Sequence, residues 1–197
     1  MSVRSVVGIS GSPKRLSRTT VVVQAILEAI HAGAPSEIKL IELVDAAPHL
    51  FAALSRDDLH ENERASSIVR SIESADILVV GTPVYRASYS GVLKHVFDLV
   101  HHEALAGKIV VLAATGGSQL HGLVTEHQLR PLFGFFNALT VPTTVYATEQ
   151  DFLDFKIVNP DIQVRIARAA REAVELTPLR KSAAAYASEV SRSAVIA

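Results

Sequence analysis

The sequence predicts an α/β sandwich, a doubly wound parallel sheet with helices on both faces. Short apolar runs alternate with longer amphipathic stretches five times along the chain. Those short runs are almost continuously apolar, as expected of strands covered on both faces. The connections between them are short, with no internal repeat and no linker.

Each element has a local reason. Val3–Ile9 reads as a buried strand, with β-branched bulk at Val6, Val7 and Ile9. Thr19–Ala32 carries apolar residues at helical spacing and is stopped by Gly33 and Pro35. Glu37–Leu43 is a second strand, Asn62–Ser74 a polar-faced helix, and Asp76–Val80 the clearest strand of all. Gly91–Val100 is a helix with an apolar stripe, Lys108–Ala114 a fourth strand and Gly122–Phe136 a long helix. Leu139–Tyr146 is a fifth strand, and Pro142 inside it argues for a sheet edge because proline cannot donate to a ladder. Asn159–Leu176 is a last helix with Pro160 suited to its first turn. One domain over 1–176 is expected. The Ala/Ser-rich segment 177–197 reads as a loose tail, the alternative being an extra helix that packs on a partner.

Composition narrows the function classes. The chain has 197 residues, 49% of them hydrophobic and 20% charged, which describes an ordinary globular domain. A formal net charge of -1 supplies no field for nucleic acid or an anionic membrane. The absence of cysteine removes disulfides, thiolate nucleophiles, iron–sulfur ligation and Cys-based zinc sites. Met1–Arg4 lead straight into a strand, and no apolar run approaches the ~20 residues of a membrane helix. The expectation is a cytoplasmic protein.

In an open parallel sheet, ligands bind beyond the carboxyl ends of the strands. The loop after the first strand, Gly8 to Thr20, includes Ser10, Ser12, Ser17 and Thr19 with Gly11, Lys14, Arg15 and Arg18. Backbone N–H groups at a helix start, hydroxyls and cationic side chains together make a phosphate cradle. The loop matches neither a Walker A nor a G-x-G-x-x-G pattern, and Ser12 stands where a hydrolase elbow needs its second glycine. A phosphomonoester fits it best; a plain capped helix start is the alternative. After the third strand, Pro83 fixes the chain and Tyr85 and Tyr89 offer flat faces, in either a ring-binding loop or an ordinary turn. After the fourth, Thr115-Gly116-Gly117-Ser118 allows close backbone approach or simply a tight turn.

Eight histidines form no ligand pattern. His121 and His127 are six residues apart, so a helix points them to different sides, and no metal site is expected. The helix Gly122–Phe136 has a wider apolar girdle than one sheet face needs, which points to a homodimer or homotetramer or else to deep burial in one subunit.

Taken together, Gly11-Ser12-Pro13-Lys14, Ser17-Arg18-Thr19, Thr82-Pro83-Val84-Tyr85-Arg86-Ala87-Ser88, Gly91-Val92-Leu93-Lys94 with Asp98, and Ala114-Thr115-Gly116-Gly117 resemble one family. It is the NAD(P)H-dependent FMN reductases of the flavodoxin-like superfamily, in particular those feeding two-component sulfonate monooxygenases. The resemblance runs from Val3 to Ile157. It implies a five-stranded parallel sheet of order 2-1-3-4-5. It also implies hydride transfer from NADPH or NADH to FMN, and delivery of reduced flavin to a monooxygenase in sulfonate or sulfone desulfurisation. By the same resemblance, Ser10, Ser12, Lys14, Ser17, Arg18 and Thr19 hold the FMN phosphate, and Pro83, Val84, Tyr85, Arg86, Thr115, Gly116 and Gly117 border the isoalloxazine ring.

Lys14 stands where many relatives have Arg, which shifts phosphate contact towards Arg15 or Arg18. Val84 and Arg86 replace the Glu and Asn common in tight flavin binders, so FMN is expected to exchange. His121 stands where the sulfonate-linked branch carries an inserted residue resembling a π-bulge; it is a candidate modulator or a solvated helix-start histidine. The competing classes are a quinone or azo reductase that retains FMN and a flavodoxin-type electron carrier, against which the near-neutral charge counts.

Overall fold

The computed structural model describes residues 4–195, with side chains through Thr177. Val3, the expected start of the first strand, lies outside the described residues. The main sheet is built from β1 (Arg4–Ser10), β2 (Ser36–Glu42), β3 (Ile77–Pro83), β4 (Ile109–Gly116), β5 (Leu139–Thr140) and β6 (Val145–Thr148). Its order is β2-β1-β3-β4-β5, with β6 continuing against β4, and every pairing is parallel. This is the flavodoxin-like order.

Strand alternation divides the core in two. Val6, Ile77, Val79, Ile109 and Val111 face α1 (Arg18–Gly33) and α6 (Pro160–Val195). Val7, Ile9, Leu78, Val80, Val110 and Leu112 face α2 (Leu43–Leu50), α3 (Glu63–Ser74), α4 (Gly91–Leu99) and α5 (Arg130–Phe135). Because both faces are covered, β3 is buried at every position. The helix caps follow from the sequence: Ser17, Asn62 and Ser90 each accept a backbone N–H of the first turn of α1, α3 and α4.

Four elements differ from the sequence expectation. First, the fifth strand is two pieces. Pro142, Thr143 and Thr144 leave the ladder, and their polar groups find side chains instead. Arg130 Nη2 donates to the Pro142 carbonyl at 3.4 Å, and the Thr143 N–H and hydroxyl donate to Glu172 at 2.8 and 2.7 Å. Second, α2 and a small antiparallel hairpin of β7 (Phe152–Leu153) and β8 (Lys156–Ile157) were not anticipated; Pro48 inside α2 masks its helical pattern. Third, Gly122–Phe136 is no single α-helix. A 3₁₀ turn spans Gln119–His121, a π-turn Thr125–Leu129, and α5 follows. The wide turn is closed by the Arg130 N–H donating to the Thr125 carbonyl, so the extra residue lies past His121, inside 125–129. Fourth, α6 runs on through Val195, so the segment expected to be loose is helical backbone. The alanines of this Ala/Ser-rich segment are also the strongest helix formers.

Among the described residues, no helix is long and apolar enough to cross a membrane.

Candidate functional site

The chain enters α1 on one face after β1 and α4 on the other after β3, so a crevice opens between the carboxyl ends of these two strands. Hydrogen bonds bolt the loops around it together. The Gly11 N–H donates to the Gly81 carbonyl at 2.7 Å, and the Ser90 hydroxyl to the Gly11 carbonyl at 2.7 Å. The Ser90 N–H reaches Thr82 Oγ1 at 3.0 Å, the Val84 N–H the Thr115 carbonyl at 2.8 Å, and the Thr19 and Thr115 hydroxyls meet at 2.6 Å. Ser90 and Thr82 are both buried, so these bonds are shielded from water and fix the loops relative to one another. Sequence reasoning assigned neither residue this role: Thr82 stood only within the motif after the third strand, and a serine before a helix reads only as a cap.

The crevice holds a cavity of about 290 Å³. It is walled by Ser12, Lys14, Leu16, Ser17, Arg18 and Thr19 of the first loop and by Pro83, Val84, Tyr85, Thr115, Gly116 and Gly117 of the other two, the two sets meeting at the Thr19–Thr115 contact. Ser12 folds back on its own loop, its hydroxyl bonded to the Lys14 N–H and carbonyl at 3.2 Å. Gly116 is where the third loop passes closest to a neighbour: a Cβ there would lie 2.2 Å from the Tyr146 hydroxyl, which donates to the Ser118 carbonyl at 2.6 Å. Burial, then the charge of Asp151, raises the Tyr146 pKa, which keeps that phenol a donor.

Three expected residues sit elsewhere. Ser10 is fully buried and its hydroxyl pairs with Thr20 Oγ1 at 2.7 Å, so it braces the helix start instead of lining the cavity. Arg15 turns away to pair with Asp45 in α2. Arg86 is exposed at the tip of a turn closed by Tyr85 and Ser88, and it is absent from the cavity wall. That turn holds Arg86 at φ 51 and Ala87 at φ 63, left-handed positions that favour glycine or asparagine. His121 is exposed on a separate cavity of about 290 Å³, shared with Ala87, Leu123, His127 and Gln128.

Three residues of the cavity wall were missed: Leu16 in the first loop, and Glu149 and Phe155. Glu149 bonds Arg18 Nη1 at 2.7 Å, and the Arg18 guanidinium lies 5.9 Å from the Phe155 ring centroid. Both come from the segment after β6, whose carboxyl end reaches the same rim as those of β1, β3 and β4. Asp151 anchors that segment. It accepts from the Thr148 N–H at 2.6 Å and from Asn159 Nδ2 at 2.5 Å. Burial works to raise the Asp151 pKa, and the bonds from Thr148 and Asn159 outweigh it, so the carboxyl titrates below its ordinary range. The signal in the sequence is the Thr148-to-Asp151 capping box directly after a strand.

A larger cavity, about 670 Å³, opens over α1, but its walls are mainly aliphatic, among them Val21, Ala25, Leu40 and Ile166. The smaller crevice has the chemistry: cationic and hydroxyl donors from the first loop, a flat, uncharged wall from the other two. That donor set fits a phosphorylated flavin.

Fold and site define a flavin-handling α/β oxidoreductase of the flavodoxin-like class. The family described as NADPH-dependent FMN reductase matches residues 4–152, and the chain belongs to it. It is 51% identical over 171 residues to the NADH-dependent FMN reductase SfnF of Pseudomonas fluorescens (strain Pf0-1), covering 87% of this chain and 90% of that protein. It is 47% identical over 171 residues to an FMN reductase (NADPH) of Pseudomonas aeruginosa PAO1, covering 87% and 91%. Among solved structures, the apo form of the NADH:FMN oxidoreductase EMOB superposes with a TM-score of 0.77 at 30% identity, over 87% of this chain and 89% of that one.

Proposed function

We propose that this chain reduces FMN with NAD(P)H and releases the reduced flavin to a partner monooxygenase acting on a sulfonate or sulfone. The observation that carries the reading is the crevice that joins the Ser12–Thr19 donors to the Pro83–Tyr85 and Thr115–Gly117 walls, in a chain of this family. The relatives named SfnF and SfnE support the monooxygenase link.

When bound, FMN would supply the acceptor for a hydride from the dihydronicotinamide. The work of the chain's own residues is placement. Arg18, Lys14, the Ser17 hydroxyl and the first-turn N–H groups of α1 would hold the phosphate, with Thr19 bracing the loop through Thr115. Ser12 keeps the loop in shape. Pro83 to Tyr85 and Thr115 to Gly117 would border the ring. Hydride transfer between the two rings needs only their stacking at near-attack distance, so the chain need supply no acid or base.

The chain is a cytoplasmic homodimer or homotetramer in this reading. Val124, Leu129, Phe133 and Phe136 are buried within the subunit, while Leu120, Leu123 and Phe135 flank the π-turn at 89%, 61% and 68% exposure, an apolar face suited to a second copy. The test of function is NADH and NADPH oxidation with free FMN, set against quinone at equal concentration. Turnover with FMN supports a reductase of free flavin; turnover with quinone alone supports an enzyme that retains it.

A further inference from the structure

An anion cradle has no use for a carboxylate, yet Glu149 stands on the wall of this one, 2.7 Å from the guanidinium best placed for the phosphate. We propose that Glu149 is a specificity-determining residue that competes with the FMN phosphate for Arg18 and so keeps FMN exchangeable. This rests on the reading of the first loop as the phosphate cradle.

The contact is built, not incidental. Glu149 opens the turn Glu149–Asp151, and the capping box of Thr148 and Asp151 fixes that turn through bonds of 2.6 and 3.0 Å. Asp151 is buried and takes a further bond from Asn159, which ties the turn to the entry of α6. The hairpin that follows turns through Asp154 at φ 47 and Phe155 at φ 59. An aromatic side chain rarely adopts that conformation, and here it carries Phe155 to the guanidinium. Arg18 is therefore held from two sides by one segment, with its charge already answered.

A phosphate of about −1.5 to −2 charges must either displace the Glu149 carboxylate or sit beside it. Displacement gives up the Arg18–Glu149 ion pair. The chain thus binds the phosphate with a built-in opponent, which lowers affinity for FMN but not for riboflavin. A reductase that delivers its product to another protein needs such a release.

Glu149→Gln tests this, since glutamine keeps the shape and an acceptor for Arg18 and removes only the charge. FMN and riboflavin are titrated by flavin fluorescence against wild type, Glu149→Gln, Arg18→Ala and the double variant. Glu149→Gln is expected to tighten FMN about 3–5-fold, an exposed ion pair's worth, and to leave riboflavin within twofold of wild type. In steady state the KM for FMN falls while kcat does not rise. In the Arg18→Ala background the gain disappears. FMN affinity that is unchanged or weaker, riboflavin that tightens equally, or a gain that survives in the Arg18→Ala background would overturn the proposal. If wild type binds FMN no more tightly than riboflavin, the cradle itself fails, and the proposal with it.

Discussion

Replacing Arg18 by alanine is expected to weaken FMN and leave riboflavin nearly untouched. Arg18 occupies the first turn of α1, where the helix N-terminus already favours an anion, and its side chain is 39% exposed. At that exposure the guanidinium works in a water-like medium, where a unit charge about 4 Å away contributes about 1 kcal/mol. A phosphate of nearly two charges raises this to about 1.5–2 kcal/mol. The exposed ion pair with Glu149 that is given up offsets about 0–1 kcal/mol of it. The net loss is about 0.5–2 kcal/mol, a rise of about 2–30-fold in Kd. Flavin fluorescence titrations of both ligands, at low and high salt, measure it. The gap between FMN and riboflavin should narrow at high salt, because a half-exposed charge is screened. Equal losses for the two flavins, or no loss for FMN, would refute the phosphate assignment.

Three further outcomes follow from the same contacts. Gly81→Ala should cost about 1–3 kcal/mol in urea unfolding, because its Cβ would lie 2.4 Å from Val23 Cγ2 where α1 crosses the sheet; a shift below 0.5 kcal/mol would mean that α1 can retreat. Asp151, with its lowered pKa, contributes stability that is present above the ordinary carboxylate range and lost as pH falls through the folded value. The stability gap between wild type and Asp151→Asn should therefore be widest at neutral pH and shrink towards pH ~3; a constant gap contradicts the linkage. Deleting the exposed His127 should close the π-turn into a regular helix and rotate Leu120 and Leu123 by about 100° relative to Phe135. Light scattering should then show a smaller assembly than wild type, and an unchanged mass would remove this face from the interface.

The sheet was legible because each strand is an apolar run bounded by Gly or a polar turn, and because parallel strands covered on both faces leave little choice of order. Pro142 correctly marked an edge, but its consequence, a strand interrupted between Thr140 and Val145, depends on Arg130 and Glu172, which reach it from the helices before and after the strand. The two hairpin tips, Arg86–Ala87 and Asp154–Phe155, carry no Gly or Asn-Gly signal, so their turn type could not be read. The cavity wall was legible loop by loop as far as ligand rules point to strand ends. Glu149 and Phe155 escaped because the fifth strand was read as a plain edge. Ser10 was assigned to the wall because it shares the loop, whereas strand alternation turns it towards Thr20. The π-turn was expected one turn too early, since periodicity over fifteen residues does not locate a single extra one.

Whether FMN passes through this protein as a substrate is tested most directly by single measurement of bound flavin against turnover. Purified protein is passed through gel filtration, its flavin content read by absorbance, and NADH or NADPH oxidation followed as FMN is added back. Substrate FMN gives a nearly colourless protein whose rate is negligible without added FMN and saturates as FMN is raised. A yellow protein that keeps one FMN per chain through the column, and turns over with quinone and no added flavin, would contradict it.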